Sequence, residues 1–452
     1  MSNTKTWSSN YVFLLASIGS TVGLSNIWKF TYLAGENGGG AFVLVYLLVL
    51  ALLGIPILAA EMVIGKRGGR SMVGTLQVLH LKDGIARNWK WFGWVAMVTV
   101  FLILSFYCVI AGWTLDYTAT SVAGLLNQLN RETATTFFNE LMASPGRMMI
   151  GQGIFVLATT WIVAKGIQDG LERSIGWMMP TLFVILLGLV LYAMVFGEFS
   201  AALRFLFQPD FSKITPAVFL AAFGQAFFSL GIGVGVMLTY GAYMPPGTHV
   251  LKSAAIIAFS DGLASVLAGL AIFPIVFKYG LSPAEGPGLI FMTLPISFGE
   301  IPGGGFIGAF FFLLLFFAAL TSSISLLESI ISHLEETLPF SRARVTWVAG
   351  ALLWVIGLAT VFSFNDWKSF YPLSFLEPLK NKTIFEVIDY FGSNLLMPAG
   401  GILIAVMAGW LLPGHAIRND LLTTSTLQFR LWQFIVRWLA PLAVAWLLVY
   451  NL

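Results

Sequence analysis

The sequence predicts an all-α polytopic membrane protein, and three observations carry that reading. Hydrophobic residues make up 58% of the 452 and charged residues only 10%, mean hydropathy is +0.86, and apolar segments of bilayer-crossing length recur along the whole chain. A spanning helix takes about 20 apolar residues, and soluble domains carry about 25% charged residues, so a water-exposed globule is excluded. Eleven spans are expected, at 11–34, 41–64, 91–125, 149–165, 175–197, 215–240, 251–278, 306–334, 345–362, 384–412 and 430–450. The lipid bilayer is the chain's first partner.

The ten residues before the first span carry one basic residue, Lys5, and no small-residue cleavage site. The first span is therefore expected to be retained, with a cytoplasmic N-terminus and a multi-pass location in the cell membrane. That orientation places Lys66, Arg67, Arg70, Lys82, Arg87 and Lys90 inside, as the positive-inside rule requires. An odd number of spans then leaves the C-terminus extracytoplasmic.

Composition also removes function classes. The net charge of +3 is accounted for by topology, so no nucleic acid is implied. A lone cysteine, Cys108, excludes an intrachain disulfide and a thiolate-rich metal site. His80, His249, His333 and His415 lie far apart, and neither Gly-x-Ser-x-Gly nor Gly-x-x-x-x-Gly-Lys occurs, so no enzyme is expected. Nothing points to an obligate protein partner.

Span one holds the first anomaly. Residues 19–26 read Gly-Ser-Thr-Val-Gly-Leu-Ser-Asn, in which three small hydroxyls, two glycines and an amide carry low helix preference, in the middle of an apolar run. Backbone groups freed there must find other partners, because hydrocarbon supplies none. Two readings follow: a broken helix facing an ion or substrate, or a small-residue packing face. Span six repeats the oddity, with Gly231, Gly233 and Gly235 at alternate positions. If spans one to five (11–197) and six to ten (215–412) are repeats of five, they are inverted across the membrane, and a matched pair of interrupted segments marks a midplane site. Span eleven (430–450) stands outside the repeats.

The motifs themselves are informative. Gly19 to Phe30, followed by Gly35-Glu-Asn-Gly-Gly-Gly-Ala-Phe42, resembles the signature of the neurotransmitter:sodium symporter family. So do Gly224-Gln-Ala-Phe-Phe-Ser-Leu-Gly231 in span six and Phe317-Ala-Ala-Leu-Thr-Ser-Ser323 in span eight. The resemblance runs from Trp7 to about Leu412. It implies the leucine-transporter fold with broken helices one and six, in the shape of bacterial members with eleven spans.

In span eight, Ala318, Thr321 and Ser322 are spaced i, i+3, i+4 and share one helix face, with both hydroxyls close to the Ala318 carbonyl. With carbonyls released at Gly19 and Val22 they make five neutral oxygens, suited to a hard monovalent cation. The resemblance implies that these residues hold the second of two sodium ions. By themselves such hydroxyls more often bond back to their own helix, and it is the partner motif in span one that reverses that reading.

The first sodium site is implied at Thr21, Asn26, Ser229 and Asp261, together with the substrate carboxylate. The family places asparagine where this chain has Asp261. A charge at that depth is costly unless paired, and sodium is its expected partner. Chloride-dependent relatives ring their anion with Tyr, Gln, Ser, Asn and Ser; Tyr46, Gln225, Ser229 and Ser265 match, and Asp261 breaks the set. Chloride-independent transport is therefore expected.

The implied substrate is a neutral amino acid, with hydrophobic or aromatic side chains favoured. Its carboxylate would meet Leu24, Ser25, Tyr107 and the first sodium; its amine, carbonyls at Thr21, Phe228 and Ser229; its side chain, Val22, Tyr107, Phe228, Gly231, Val234, Ser322 and Leu326. Monoamine carriers have an aspartate at the position of Gly23. The implied outer gate is Lys29 with Asp389, and the inner gate Trp7, Lys5, Tyr243 and Glu336. In span five, Gly170 and Pro180 match a segment that unwinds locally in relatives. The function this implies is sodium-coupled symport by alternating access. A sodium-dependent amino-acid sensor or uncoupled conductance is the alternative, and a membrane enzyme using Asp261, Glu61 and Glu328 is disfavoured by their scatter over three spans.

Overall fold

The computed structural model describes residues 6–128, 131–284, 286, 288–300, 303–422 and 425–451. Lys5 lies outside them. Among the described residues there is helix and no strand. The first span is bent: α1a (Asn10–Thr21) and α1b (Ser25–Glu36) meet at 52°. There follow α2 (Gly40–Gly68), α3 (Arg87–Val122), α4 (Pro145–Ala164) and α5 (Ile167–Phe196). The sixth is split into α6a (Pro216–Leu230) and α6b (Val236–Ala242). Then come α7 (Val250–Lys278), α8 (Gly304–Thr337), α9 (Arg342–Ser363), α10 (Ile384–Leu411) and α11 (Thr426–Tyr450). The nine unbroken helices are each long and apolar enough to cross a membrane.

Several helices outrun the apolar segments that mark them. α3 begins at Arg87 and α5 at Ile167, because backbone hydrogen bonding continues where hydrocarbon ends. The outward faces remain apolar: Leu52 is 54% exposed, Val184 68% and Phe259 71%, which is what lipid-facing helices require.

α3 packs along α8 through the centre, α2 supports both α6a and α6b, α5 lies on α7, and α4 on α9. α1a touches α7 and α8, and α1b touches α7. The two interruptions are therefore enclosed by unbroken helices.

They arise differently. Ser9 caps α1a by accepting from the Val12 amide, and the helix stops because Val22 turns extended (φ −74°, ψ 99°). Gly19 to Thr21 remain helical, so the break is shorter than the anomalous octapeptide. α6a starts on a Thr215 cap and Pro216, and ends as Gly231 enters the left-handed region at φ +61°, followed by Gly233 at +93° and Gly235 at +80°. A Cβ on Gly233 would collide with the Met397 carbonyl of α10. Gly233→Ala combines a strained backbone with overpacking, roughly 2–5 kcal/mol together. Its melting temperature in detergent is expected to fall by several degrees, and an unchanged value would contradict this account of the break.

Candidate functional site

At the first break, the amides that would close helical bonds are diverted. Gly23 N donates to Asn26 Oδ1 (2.9 Å) instead of to the Gly19 carbonyl, and Asn26 N donates to the Gly23 carbonyl (3.2 Å) instead of to Val22. The Leu24 amide points to the Tyr107 hydroxyl of α3 (3.5 Å). Diversion of these amides leaves the Gly19 and Val22 carbonyls without their i+4 donors, and an oxygen so released in a dry interior needs a donor or a cation.

Asp261 of α7 is the hub beside this break, and it is fully buried. Its Oδ1 accepts from Asn26 Nδ2 (2.8 Å), and its Oδ2 from the Tyr46 hydroxyl (2.9 Å) and Ser229 Oγ (2.8 Å). Ser265 Oγ lies 3.0 Å from both Asn26 Nδ2 and the Tyr46 hydroxyl. Helices α1b, α2, α6a and α7 thus converge on one carboxylate. No Lys or Arg among the described residues pairs with it. Gln225, the remaining member of the ring that surrounds an anion in relatives, instead donates to the Ser25 carbonyl (2.9 Å).

On α8, Thr321 Oγ1 donates to the carbonyls of Phe317 and Ala318 (3.1 Å each), and Ser322 Oγ to Ala318 (3.2 Å). With their protons directed at their own helix, the hydroxyl lone pairs remain as acceptors. Ser322 reaches the break: a Cβ on Gly23 would lie 2.7 Å from Ser322 Oγ and 3.2 Å from the Tyr107 hydroxyl. An aspartate at that position has no room without displacing one of them.

A cavity of about 60 Å³ is lined by Thr21, Ser25, Tyr107, Phe228, Ser229, Gly231, Val234, Ser322 and Leu326, which the sequence had grouped. Val22 and Leu24 do not line it. Ile103, Val236 and Met397 do, and nothing in their local sequence distinguishes them from packing residues. A second cavity of about 450 Å³ shares Ser25, Tyr107 and Phe228 with the first and is further lined by Leu24, Trp28, Lys29 and Asp389. Tyr107 and Phe228 therefore form the partition between the two.

The second break is held by α2. Glu61, fully buried, accepts from the amides of Gly233 (3.2 Å) and Leu238 (3.4 Å). A carboxylate near unpaired amides at a helix start is favourable, so Glu61 clamps the unwound segment. In the sequence it stands only among the intramembrane acids of the disfavoured enzyme reading.

The gates differ from the implied pairs. Lys29 and Asp389 form no salt bridge: the Lys29 ammonium lies 4.2 Å from the Phe228 ring centroid, and Asp389 accepts from Ser393 Oγ (2.7 Å). At the other end, the Trp7 amide donates to the Tyr243 carbonyl (3.0 Å), and its ring packs edge-on to Tyr240 and Tyr243. Tyr243 donates to Glu328 Oε1 (3.1 Å), not to Glu336. Glu336 instead accepts from the Ser71 amide (2.9 Å) and hydroxyl (2.7 Å). The cation of this network is Arg342, paired with Glu328 and, at 2.8 Å, with Glu335. Around Gly170, α5 is widened into a π-helical turn over Ile167–Glu172 and is not unwound, and it remains helical through Pro180.

With this geometry in view, comparison with known proteins is direct. The chain matches the Sodium:neurotransmitter symporter family over residues 4–142 and 138–452. It is 35% identical over 445 residues to YhdH, an uncharacterized sodium-dependent transporter of Bacillus subtilis, covering 97% of this chain and 95% of the relative. An uncharacterized sodium-dependent transporter of Haemophilus influenzae is 32% identical over 455 residues, covering 99% and 98%. The crystal structure of MhsT in complex with L-phenylalanine matches with a TM-score of 0.89 at 38% identity, over 99% of this chain and 100% of that one. The fold is that of the leucine transporter.

Proposed function

The chain belongs to the sodium:neurotransmitter symporter family and is a sodium-dependent multi-pass membrane transporter, not an enzyme; from that premise we propose that it couples inward sodium movement to uptake of a neutral, hydrophobic or aromatic L-amino acid. The observation that carries the reading is the α1 break, bracketed by Asp261 on one side and Ser322 on the other, with the Leu24 amide turned to Tyr107. The similar MhsT is seen with L-phenylalanine.

One sodium sits between Thr21, Asn26, Ser229 and Asp261, where it also meets the substrate carboxylate, so that ion and substrate bind together. The other sits among the Gly19, Val22 and Ala318 carbonyls and the Thr321 and Ser322 hydroxyls. Asp261 supplies the negative charge locally, and transport runs without chloride. Residues 11–197 and 215–412 form the inverted repeats, 430–450 the extra span, with the N-terminus cytoplasmic and the C-terminus outside. Tyr107 and Phe228 close the pocket from the larger cavity. A site of about 60 Å³ is small beside the roughly 300–1,000 Å³ of pockets that enclose drug-sized ligands, so an aromatic substrate enters only as this partition moves.

Energetics allow concentrative uptake. One charge moving down 100 mV releases about 2.3 kcal/mol, and a tenfold gradient about 1.4 kcal/mol, so two ions sustain about five decades of accumulation. A scintillation-proximity screen of the twenty amino acids on purified protein tests the reading. Sodium-dependent binding of one or more large neutral amino acids is expected; binding confined to charged amino acids, or equal with and without sodium, contradicts it.

A further inference from the structure

The lining of the substrate pocket divides by chemistry. Thr21, Ser25, Tyr107 and Ser229, the polar groups placed to take a carboxylate and an amine, come from α1, α3 and α6a. The apolar groups that remain for a side chain are Ile103, Leu230, Val234, Val236, Leu326 and Met397. Ile103, Val234 and Val236 are β-branched and therefore stiff at χ1, and Leu230 and Leu326 are built into α6a and α8. Met397, contributed by α10 and 3% exposed, is the one long unbranched side chain among the described lining residues. An unbranched thioether has three rotatable bonds and repacks readily into irregular space.

The backbone at Met397 has no such freedom. A Cβ on Gly233 would collide with the Met397 carbonyl oxygen, and one on Gly400 with the Gly233 carbonyl oxygen. α10 and the second break thus meet backbone to backbone, with no side chain between them to give way. The wall at this point yields only through the Met397 side chain, which has space to move into, because Met397 also borders a separate void of about 270 Å³. With the thioether where it lies, the pocket measures about 60 Å³. We propose, on the premise that a neutral amino acid occupies this pocket, that Met397 sets the size of side chain the pocket accepts. Its thioether turns aside for a large aromatic group and fills the space left by a smaller aliphatic one.

The test is sodium-dependent binding of labelled L-tryptophan, L-phenylalanine, L-leucine and L-valine to purified full-length protein, read by scintillation proximity. One methylene in an apolar pocket decides about tenfold or more, so Met397→Ala is expected to shift the ratio of tryptophan to leucine affinity about tenfold toward tryptophan. Met397→Phe is expected to shift it about as far toward leucine. A residue that only packs α10 would weaken all four amino acids alike and leave their ratios untouched. Met397→Leu conserves volume and so costs little stability, which keeps the test open where a larger change fails to fold; its stiffer, branched chain is expected to move the ratio several-fold toward leucine. Ratios that stay at the wild-type value in the folded variants, or shifts of the same sign in the alanine and phenylalanine variants, overturn the role given to Met397. Wild-type protein that binds none of the four in sodium refutes the substrate class itself, and the role of Met397 with it.

Discussion

Asp261→Ala is expected to abolish sodium-dependent amino-acid binding, whereas Asp261→Asn is expected to retain it only when chloride is present. The alanine variant strands three donors, Asn26 Nδ2, Tyr46 and Ser229, that now converge on the carboxylate within 2.9 Å, and it removes the charge opposite the proposed sodium. Removing one partner of a buried charged pair costs about 3–5 kcal/mol, so sodium affinity falls at least 100-fold at about 1.4 kcal/mol per decade. In the asparagine variant the Tyr46, Ser229 and Ser265 hydroxyls remain and no fixed negative charge competes, which leaves room for an anion to supply it. Uptake in chloride against gluconate reads the difference. Wild-type uptake that collapses in gluconate, or an asparagine variant indifferent to chloride, contradicts the role given to Asp261.

The second large effect is on α8. A contact to a charged group contributes about 1.5–3 kcal/mol, so replacing both Thr321 and Ser322 with alanine is expected to raise the sodium concentration for half-maximal binding by at least about 100-fold. Thr321→Ser, which keeps the oxygen, is expected to stay within a few-fold of wild type. The rival reading is that these hydroxyls serve only their own helix, to which both donate. A double alanine variant with unchanged sodium dependence would establish that rival.

Features of this fold that depend on local chemistry were legible in the sequence. Runs of apolar residues located the nine long helices and the bent first one, and three alternating glycines located the second break because their positive φ values are ones other residues avoid. Asp261 stood out because an acid in an apolar span needs a partner. The limits of the first break were less visible: Gly19 to Thr21 look irregular by composition, yet the helix runs on until Asn26 captures the Gly23 amide. What stayed hidden was set by contacts between distant segments. Glu61 holds an amide 172 residues away, and Arg342, the first residue of α9, folds back on Glu328 although its place just before the ninth apolar run reads as a topological charge. Glu336 has the right type for an inner gate but is taken up by Ser71, the N-cap of the short helix Met72–Asp83 between α2 and α3, and that pairing depends on how this helix packs. Likewise Lys29 settles on an aromatic face and leaves Asp389 to Ser393.

The central claim, that sodium movement drives amino-acid movement, is tested most directly by uptake into proteoliposomes. Purified protein is reconstituted with potassium inside, diluted into sodium outside, and followed with the labelled amino acid selected by the binding screen. Accumulation above the external concentration is expected, lost when sodium is equal on both sides or when a sodium ionophore is added. Sodium-dependent binding with no gradient-driven accumulation would contradict the account and mark the protein as a sensor or an uncoupled conductance.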